Sequence, residues 1–347
     1  MSGTSLDGLD IALCEFTGSG KNWTHQILKG ITLPYPNELK VVLSNVQHGS
    51  AQDLAQTDAF FGRFCGKAVR LFLEQINDTA DFVASHGHTI FHQPEAGFTY
   101  QIGNGAYLSA ECGLPVISDF RTMDVGLGGQ GAPLVPIGDA LLFHQYQYCL
   151  NLGGISNISF DQSGKRIAFD ISPVNLVLNF LAGKLGKNYD PEGSIARSGS
   201  INHELLNQLN ALNYYHQPAP KSLGKEWLDK NIFPVLESSS LTVEDLLCTF
   251  THHTAFQIAR VIKDAPAQSG DLLITGGGAY NTYLIESLRA YCPAEIRIIV
   301  PDEYTLQFKE ALIFAFLGLL RKENLANALS SVTGASRDSI GGAVYGM

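Results

Sequence analysis

The sequence predicts an α/β protein made of two similar halves. Strand-like runs followed by helix-like runs occur twice along the chain, which is the order expected of a mixed α/β fold. The 347 residues are too many for one compact core and fit two domains of ordinary size. We expect a boundary near residues 145–148, which gives domains 1–146 and 147–347, with the last helices able to pack back on the first domain.

The predicted elements follow the spacing of apolar residues. Alternation indicates a two-strand meander followed by shorter strands, at 9–16, 24–33, 82–85, 99–102, 115–118, 149–152, 155–160, 167–171 and 272–275. Helical spacing predicts helices at 58–75, 176–185, 243–263 and 281–291. Thr242 is the expected N-terminal cap of the third of these helices.

Composition and charge exclude several classes of protein. The 33 acidic residues outnumber the 23 basic ones, so the net charge is −10 and we expect no general binding to nucleic acid. The longest apolar run, 311–320, has about half the length of a membrane span, and no secretory signal is visible. Six scattered cysteines without a CxxC pair are typical of free thiols, so we expect a cytoplasmic protein without structural zinc.

The 35 glycines are more than average, and many of them fall in clusters. The clusters are Gly3–Gly8, Gly126–Gly131, Gly153–Gly154, Gly276–Gly278 and Gly341–Gly342. Several adjoin predicted strands, where glycine lets the backbone approach a ligand or turn with a positive φ. A tight turn is the favoured explanation for any single cluster, but it explains the whole set less well. Two glycine-plus-hydroxyl turns, at 2–5 and 153–156, could clamp the oligophosphate of a nucleotide from both sides.

Seven sequence blocks resemble, in the same order, those of 1,6-anhydro-N-acetylmuramic acid kinases. They are MSGTSLDGLD (1–10), HGHTIFH (86–92), SDFR (118–121), GGQGAPLVP (128–136), LNLGGISNI (150–158), LITGGGAYN (273–281) and KEALIFA (309–315). The resemblance implies two related actin-like (ribonuclease H-like) ATPase domains with mixed sheets around a nucleotide cleft. It also implies a homodimeric enzyme that uses ATP and Mg²⁺ to convert the anhydro sugar, a product of cell-wall turnover, into N-acetylmuramic acid 6-phosphate.

The same resemblance assigns the nucleotide site to the glycine clusters. The implied ATP-binding residues are Gly3, Thr4, Ser5, Leu6, Asp7, Gly8, Leu9, Asp10, Gly153, Gly154, Gly276, Gly277 and Gly278. The first group would form the phosphate loop, the second a phosphate hairpin, and the triple glycine would lie beside the adenosine. Asp7 or Asp10 would hold magnesium through water, because Mg²⁺ usually keeps several waters.

The implied reaction needs a positioned carboxylate. Water must attack the anomeric carbon while O6 departs, and because the γ-phosphoryl group can capture O6, one base for the water is enough. In the family this base opens an Asp-Thr-Gly-Pro-Gly-Asn motif, and the matching segment here is DISPVN at 170–175. We therefore expect Asp170 to be the catalytic base; from the residues alone, an aspartate that caps the following helix is the alternative.

Three further residues are implied to contact the sugar. A guanidinium suits bidentate contact with pairs of oxygens, so Arg121 is one; Glu310 and His86 are the others. The simpler alternatives are a surface arginine and a first-turn glutamate favoured by the helix dipole. His86, His88 and His92 also allow a metal site, but we favour substrate-side or packed histidines.

The chain departs from the family pattern at three places. Ser172 and Val174 replace the two glycines around the proline, so a turn that tolerated a positive φ must avoid it or bear strain. Asn179 stands where an aspartate is frequent, and a sheet strand is lost if Met1 is the true start, because the family's first strand precedes this point. A kinase with a shifted substrate and a non-catalytic nucleotide or sugar sensor therefore stay open as alternatives, and a sensor would have no need of Asp170.

Overall fold

The computed structural model describes residues 1–3, 6–20, 22–267 and 269–346. The chain forms two compact units, one of Met1–Leu142 with Phe308–Met347 and the other of Phe143–Gln307. The sequence-based division was 1–146 and 147–347, with the last helices able to pack back on the first domain; in the structure, residues 308–347 belong to the first unit.

The strands and helices have the following bounds. The strands are β1 (Gly8–Ser19), β2 (Asn22–Pro34), β3 (Val83–Ser85), β4 (His88–Gln93), β5 (Phe98–Ile102), β6 (Val116–Ser118), β7 (Tyr148–Leu152), β8 (Ile155–Gln162), β9 (Lys165–Pro173), β10 (Gly270–Thr275), β11 (Ile296–Ile299) and β12 (Ala343–Tyr345). The helices are α1 (Asn37–Asn45), α2 (Ala51–Ile76), α3 (Gly105–Cys112), α4 (Thr122–Gly126), α5 (Val135–Leu142), α6 (Asn175–Gly183), α7 (Ser194–Ser198), α8 (His203–Asn210), α9 (Lys225–Asn231), α10 (Phe233–Glu237), α11 (Val243–Asp264), α12 (Thr282–Tyr291), α13 (Glu303–Lys322) and α14 (Ser330–Thr333).

The second unit is built on one mixed five-stranded sheet. Its strand order is β11-β10-β7-β8-β9, in which β10 runs parallel to β7 and β11 while β8 runs antiparallel to β7 and β9. Buried residues of β7 and β10 share one hydrophobic core with α6, α11 and α12. Thr242 caps α11 as expected, since its side chain accepts the Asp245 N–H. The predicted α/β class with mixed sheets is confirmed.

The first unit carries smaller sheets around a second core. The predicted meander is a long antiparallel pair of β1 and β2, β12-β6-β3 form a mixed three-stranded sheet, and β4 pairs with β5. Leu9, Ile11 and Leu13 point to the same side of β1 and pack in a core that also contains residues of α2. Helix α2 begins before the predicted residue 58, because Ser50 and Asp53 form a reciprocal capping box.

Within the described residues we find no helix with the length and apolar character needed to cross a bilayer.

Candidate active site

Two glycine clusters meet at one edge of the sheet in the second unit. Strands β7 and β10 are parallel neighbours, so Gly153–Gly154 and Gly276–Gly278, which follow them, leave the sheet at the same edge. Gly276 has a φ of 84°, and a Cβ there would lie 2.5 Å from Asn151 Oδ1. A Cβ on Gly278 would lie 2.9 Å from the Leu152 carbonyl oxygen. These two glycines are therefore required for close packing within the protein, whatever else they contact.

The turn between β7 and β8 is bonded to the start of α6. The Gly153 carbonyl accepts the Asn175 N–H at 3.2 Å. The Gly154 carbonyl accepts the N–H groups of Val174 and Leu176 at 2.9 and 3.2 Å. Because the first N–H groups of a helix lack intrahelical partners, these bonds fix α6 to the turn without a side-chain cap. Asp170 consequently does not cap α6, which was the alternative for this residue.

Asp170 lies at a β-bulge on the edge strand of the same sheet. Ser156 pairs with Ser172 while Asn157 pairs with Asp170, so Ile171 is an extra residue in β9. Bulges of this kind bend a strand and redirect its side chains, and they are frequent beside active sites. The buried Ile171 occupies the core, and the half-buried Asp170 is left at the edge.

The carboxyl group of Asp170 has one satisfied oxygen. Oδ2 accepts the Leu223 N–H at 2.9 Å, and in the described part of the chain Oδ1 has no hydrogen-bond partner. Burial raises the pKa of Asp170, and the Leu223 N–H opposes that rise by stabilising the carboxylate. A carboxylate with raised basicity and one available oxygen can take a proton from water.

The substituted turn before α6 avoids left-handed backbone. Neither Ser172 nor Val174 has a positive φ; Val174 has φ −131° and ψ −98°. Both side chains are fully buried, and the Ser156 hydroxyl donates to the Ser172 carbonyl at 2.8 Å. The family glycines are thus replaced by side chains that the core of the second unit accommodates. Asn179 is exposed on α6.

Arg121 and His86 form a directly bonded pair in the first unit. Arg121 Nε and Nη2 lie 3.0 and 2.8 Å from His86 Nε2, and Nη1 donates to the Gly131 carbonyl at 2.7 Å. Because arginine only donates, His86 Nε2 must be the acceptor, and His86 Nδ1 then donates to the Gly87 carbonyl at 3.0 Å. Burial and the Arg121 charge hold the pKa of His86 well below its usual range, so this ring is neutral.

The same pair lies close to Glu310 at the start of the apolar stretch of α13. Burial raises the pKa of Glu310, while Arg121 opposes the rise. Burial lowers the pKa of Arg121, and Glu310 opposes that shift. Since three hydrogen bonds leave one N–H on each terminal nitrogen of Arg121, the guanidinium still has two donors for a ligand. The three residues that the sequence linked to a sugar are thus brought together.

Asp124 holds the loop beside Arg121 and was missed by sequence reasoning. Its buried Oδ2 accepts the Gly131 N–H at 2.7 Å, and its Oδ1 accepts the Thr333 hydroxyl at 2.7 Å. Gly131, with φ 65°, in turn presents its carbonyl to Arg121. The sequence signal for Asp124 was the glycine-rich block that follows Arg121, because a loop rich in glycine needs a side chain that holds its backbone in place.

The amino-terminal loop is described only in part, since Thr4 and Ser5 lie outside the described residues. The Gly3 carbonyl accepts the Leu6 N–H at 3.3 Å, and Leu6 has φ 57°. At Gly8, a Cβ would lie 2.5 Å from the Leu33 carbonyl oxygen, so this glycine is needed for the pairing of β1 with β2. Leu9 is a core residue.

Asp7 and Asp10 differ in their surroundings. Asp7 is exposed, whereas Asp10 Oδ1 accepts the Thr32 hydroxyl at 2.6 Å. Asp10 also influences the pKa of Glu310 through its charge, so it lies near the Arg121–His86 pair. Mg²⁺ binds through one or two carboxylates together with waters and phosphates, and Asp10 Oδ2, which has no partner among the described residues, fits that donor set.

The other two histidines of the predicted cluster bond to the protein. His88 Nδ1 is hydrogen-bonded to the Ser2 hydroxyl at 2.9 Å, and the Ser2 hydroxyl accepts a hydrogen bond from the Tyr35 hydroxyl at 2.7 Å. His92 Nδ1 lies 3.1 Å from the Thr99 hydroxyl. Among the described residues there is no group of three or more side chains placed to hold a metal ion.

Comparison with known proteins identifies the family of this chain. The model of the family "AnmK: Anhydro-N-acetylmuramic acid kinase" matches residues 1–347. A protein named anhydro-N-acetylmuramic acid kinase from Coxiella burnetii is 36% identical, over 99% of this chain and 96% of that protein. One of the same name from Gloeobacter violaceus is 37% identical, over 97% and 95%. A solved ROK hexokinase from Thermus thermophilus, 11% identical over 89% of this chain and all of that chain, has a TM-score of 0.35, too low to add to the argument. On the family and sequence matches, the chain belongs to the anhydro-N-acetylmuramic acid kinase family.

Proposed function

We propose that this kinase opens the 1,6-anhydro bridge of 1,6-anhydro-N-acetylmuramic acid with water and transfers the γ-phosphoryl group of ATP to O6. The products are N-acetylmuramic acid 6-phosphate and ADP. Membership of the family makes the chain a kinase. The observation that carries the mechanism is the Asp170 carboxyl group, whose pKa is raised by burial and whose Oδ1 is open among the described residues.

Asp170 is the proposed base for the attacking water. Its Oδ1 takes one proton while the water oxygen bonds to the anomeric carbon and the bond from that carbon to O6 breaks. O6 forms the new bond to the γ-phosphorus as the bond to the ADP oxygen breaks, so no separate acid is needed for O6. A positioned base of this type contributes about 10²–10⁴-fold to the rate.

Arg121, Glu310 and His86 are the proposed sugar-binding residues. The two remaining N–H groups of Arg121 suit a pair of sugar oxygens, and neutral His86 keeps the guanidinium oriented without competing for its charge. Glu310 offers an acceptor for sugar hydroxyls beside this cation. Each of these groups binds rather than transfers a proton.

ATP is the proposed phosphoryl donor, with Mg²⁺ neutralising charge on its phosphates. The proposed contacts are residues 3–10, Gly153, Gly154 and Gly276–Gly278, which the family resemblance links to the nucleotide. Asp10 is the better supported of the two magnesium candidates, because one of its oxygens is held by Thr32 and the other is open in the described part of the chain. We also propose a cytoplasmic homodimer, which size-exclusion chromatography with light scattering would test.

The test is an ADP-release assay with a panel of N-acetylated sugars. We expect ADP with the 1,6-anhydro sugar, a product carrying phosphate on O6, and one oxygen from ¹⁸O-labelled water at the anomeric carbon. ADP with a different sugar would replace the substrate assignment. Measurable ATP binding without ADP release on any sugar would overturn the kinase proposal in favour of a sensor.

A further inference from the structure

We propose that residues 214–223, which we call the clamp, fix the direction of the Asp170 side chain, and that Tyr214 is the positioning residue through which they do so. The inference rests on the proposed function, in which Asp170 is the base. It adds a segment that follows Asp170 by more than forty residues and precedes α9.

The clamp bonds to both backbone groups and the side chain of Asp170. The Asp170 N–H donates to the Lys221 carbonyl at 3.2 Å, and the Tyr214 hydroxyl donates to the Asp170 carbonyl at 2.6 Å. The Leu223 N–H donates to Oδ2 at 2.9 Å. Since β9 is the edge strand of its sheet, the clamp takes the place of a neighbouring strand at this residue.

Tyr214 is itself held by packing and by a cation. Its ring contacts Trp227 at 5.4 Å and Tyr215 at 5.8 Å, measured between ring centroids. The Lys221 ammonium lies 4.7 Å from the centroid of the Tyr214 ring and donates to the Tyr214 carbonyl at 3.2 Å. The hydroxyl of Tyr214 is therefore fixed from both ends of the residue, and the Asp170 carbonyl is fixed with it.

This arrangement matters because the carboxylate itself has a single hydrogen bond among the described residues. One bond does not prevent rotation about the side-chain torsions, so the direction of Oδ1 depends on where the backbone of Asp170 sits. A displacement of about 1 Å can cost 10²-fold in rate when a reacting group must be aligned. The clamp therefore fixes the orientation of the Asp170 side chain, which the bulged edge strand β9 does not fix by itself.

The neighbouring tyrosines provide a matched pair of variants. Tyr214→Phe removes the hydroxyl bonded to the Asp170 carbonyl. Tyr215, also within the clamp, is equally buried in the same aromatic cluster, and Tyr215→Phe removes a hydroxyl that lies 2.9 Å from His253 Nε2 and also bonds to Ser172. Among the described residues that hydroxyl makes no bond to Asp170, which is the difference that the pair tests. We expect similar thermal stabilities for the two variants, a kcat about tenfold lower for Tyr214→Phe, and KM values within twofold of the parent for both.

The acid limb of the kcat profile is a second readout that a general loss of stability would not move. Losing the fixed geometry weakens the Leu223 N–H bond to the carboxylate, and because that bond lowers the pKa of Asp170, the limb should move to higher pH in Tyr214→Phe only. The charged groups beside the clamp are Lys221, bonded to Tyr214, and Arg260 of α11, bonded to the Tyr215 carbonyl. Both remain in the two variants.

The outcome separates the clamp from the proposed function. Equal kcat values and unshifted limbs in the two variants, together with an inactive Asp170→Asn, would overturn the clamp and leave the base in place. A near-normal kcat for Asp170→Asn would show that Asp170 is not the base, which would overturn that part of the proposed function. If Tyr214→Phe does not fold, Leu223→Pro, which lacks the N–H donor, is compared with Leu223→Ala, which keeps it; equal kcat values in that pair would also overturn the inference.

Discussion

The proposed sites in the two units consist of different kinds of group: side chains in the first unit and mainly backbone in the second. In the first unit, charged and polar side chains bond to one another: Arg121 to His86, with Glu310 nearby and Asp124 holding the adjacent loop. In the second unit, the backbone predominates: glycines at a sheet edge, a bulge in β9, and an amide donating to Asp170. In a site of mutually bonded buried side chains, the loss of one partner leaves the others without a bond, whereas a site made by close backbone approach does not tolerate added atoms.

The electrostatic consequences also differ between the two regions. In the first unit, Arg121 and Glu310 shift each other's pKa, and each favours the charged form of the other. In the second unit, burial raises the pKa of Asp170, and among the described residues it is an uncharged group, the Leu223 N–H, that opposes the rise. The first arrangement keeps charges in place for binding; the second keeps a carboxylate ready to accept a proton.

The largest effect is expected at Asp170. Asp170→Asn keeps the shape of the side chain and removes its basicity, so kcat should fall by about 10²–10⁴-fold while the Kd for ATP stays within twofold. Asp264→Asn, an exposed carboxamide substitution at the end of α11 in the same unit, is the control and should leave kcat unchanged. Steady-state ADP release and ATP titration measure both quantities. A near-normal kcat for Asp170→Asn would show that the second unit supplies no base.

The backbone character of the second unit predicts a stability effect at Gly276. Gly276→Ala forces a Cβ to within 2.5 Å of Asn151 Oδ1 at a φ of 84°, so the free energy of unfolding should fall by about 1–3 kcal/mol. Gly183→Ala, at the last position of α6 with open space around it, should instead raise it by about 0.4–1 kcal/mol. Urea denaturation measures both. Equal values for the two variants would contradict the claim that the glycines are needed for packing.

Much of this contrast could be predicted from the sequence. The sequence predicted β1 and β2 as consecutive strands of a meander, and it predicted that a β-strand ends at Gly276–Gly278. The resemblance brought Arg121, His86 and Glu310 to one site, because the family motifs contain all three. These features depend on local periodicity or on residues that stand in a recognisable block.

The remaining features depend on contacts between distant segments. The clamp reaches Asp170 partly through amides and carbonyls, which carry no sequence signal, and Tyr214 lies in a segment without regular periodicity. The bulge at Ile171 is a register property that alternation alone does not reveal. Of the two outcomes left open at Ser172 and Val174, avoiding a positive φ or bearing strain, the structure shows the first, with both side chains buried.

A moderate effect is expected at Arg121. Arg121→Lys keeps the charge but loses the fork that bonds His86 and Gly131 together, so the KM for the sugar should rise about tenfold with kcat within threefold. Arg63→Lys is the control, since Arg63 is an exposed arginine of the same unit that lies over the Tyr107 ring, as Arg121 lies over the Phe314 ring. Initial-rate kinetics at saturating ATP give both constants. If Arg121→Lys lowers kcat and leaves KM unchanged, the first unit takes part in the chemistry and the contrast fails.

The smallest expected effect is the position of the acid limb in the pH profile of kcat. It tests whether the titrating base lies in the second unit or in the first. Asp170 must be ionised to accept a proton, and its pKa is raised above the usual 3.8, so kcat should fall as pH decreases through a value higher than that. The pKa of Glu310 is also raised, but because Glu310 is assigned to binding, its protonation should appear in the KM for the sugar. Glu310→Gln should therefore keep the acid limb of kcat, measured from pH 4 to 8 at saturating substrates. Loss of that limb would assign the titrating base to the first unit.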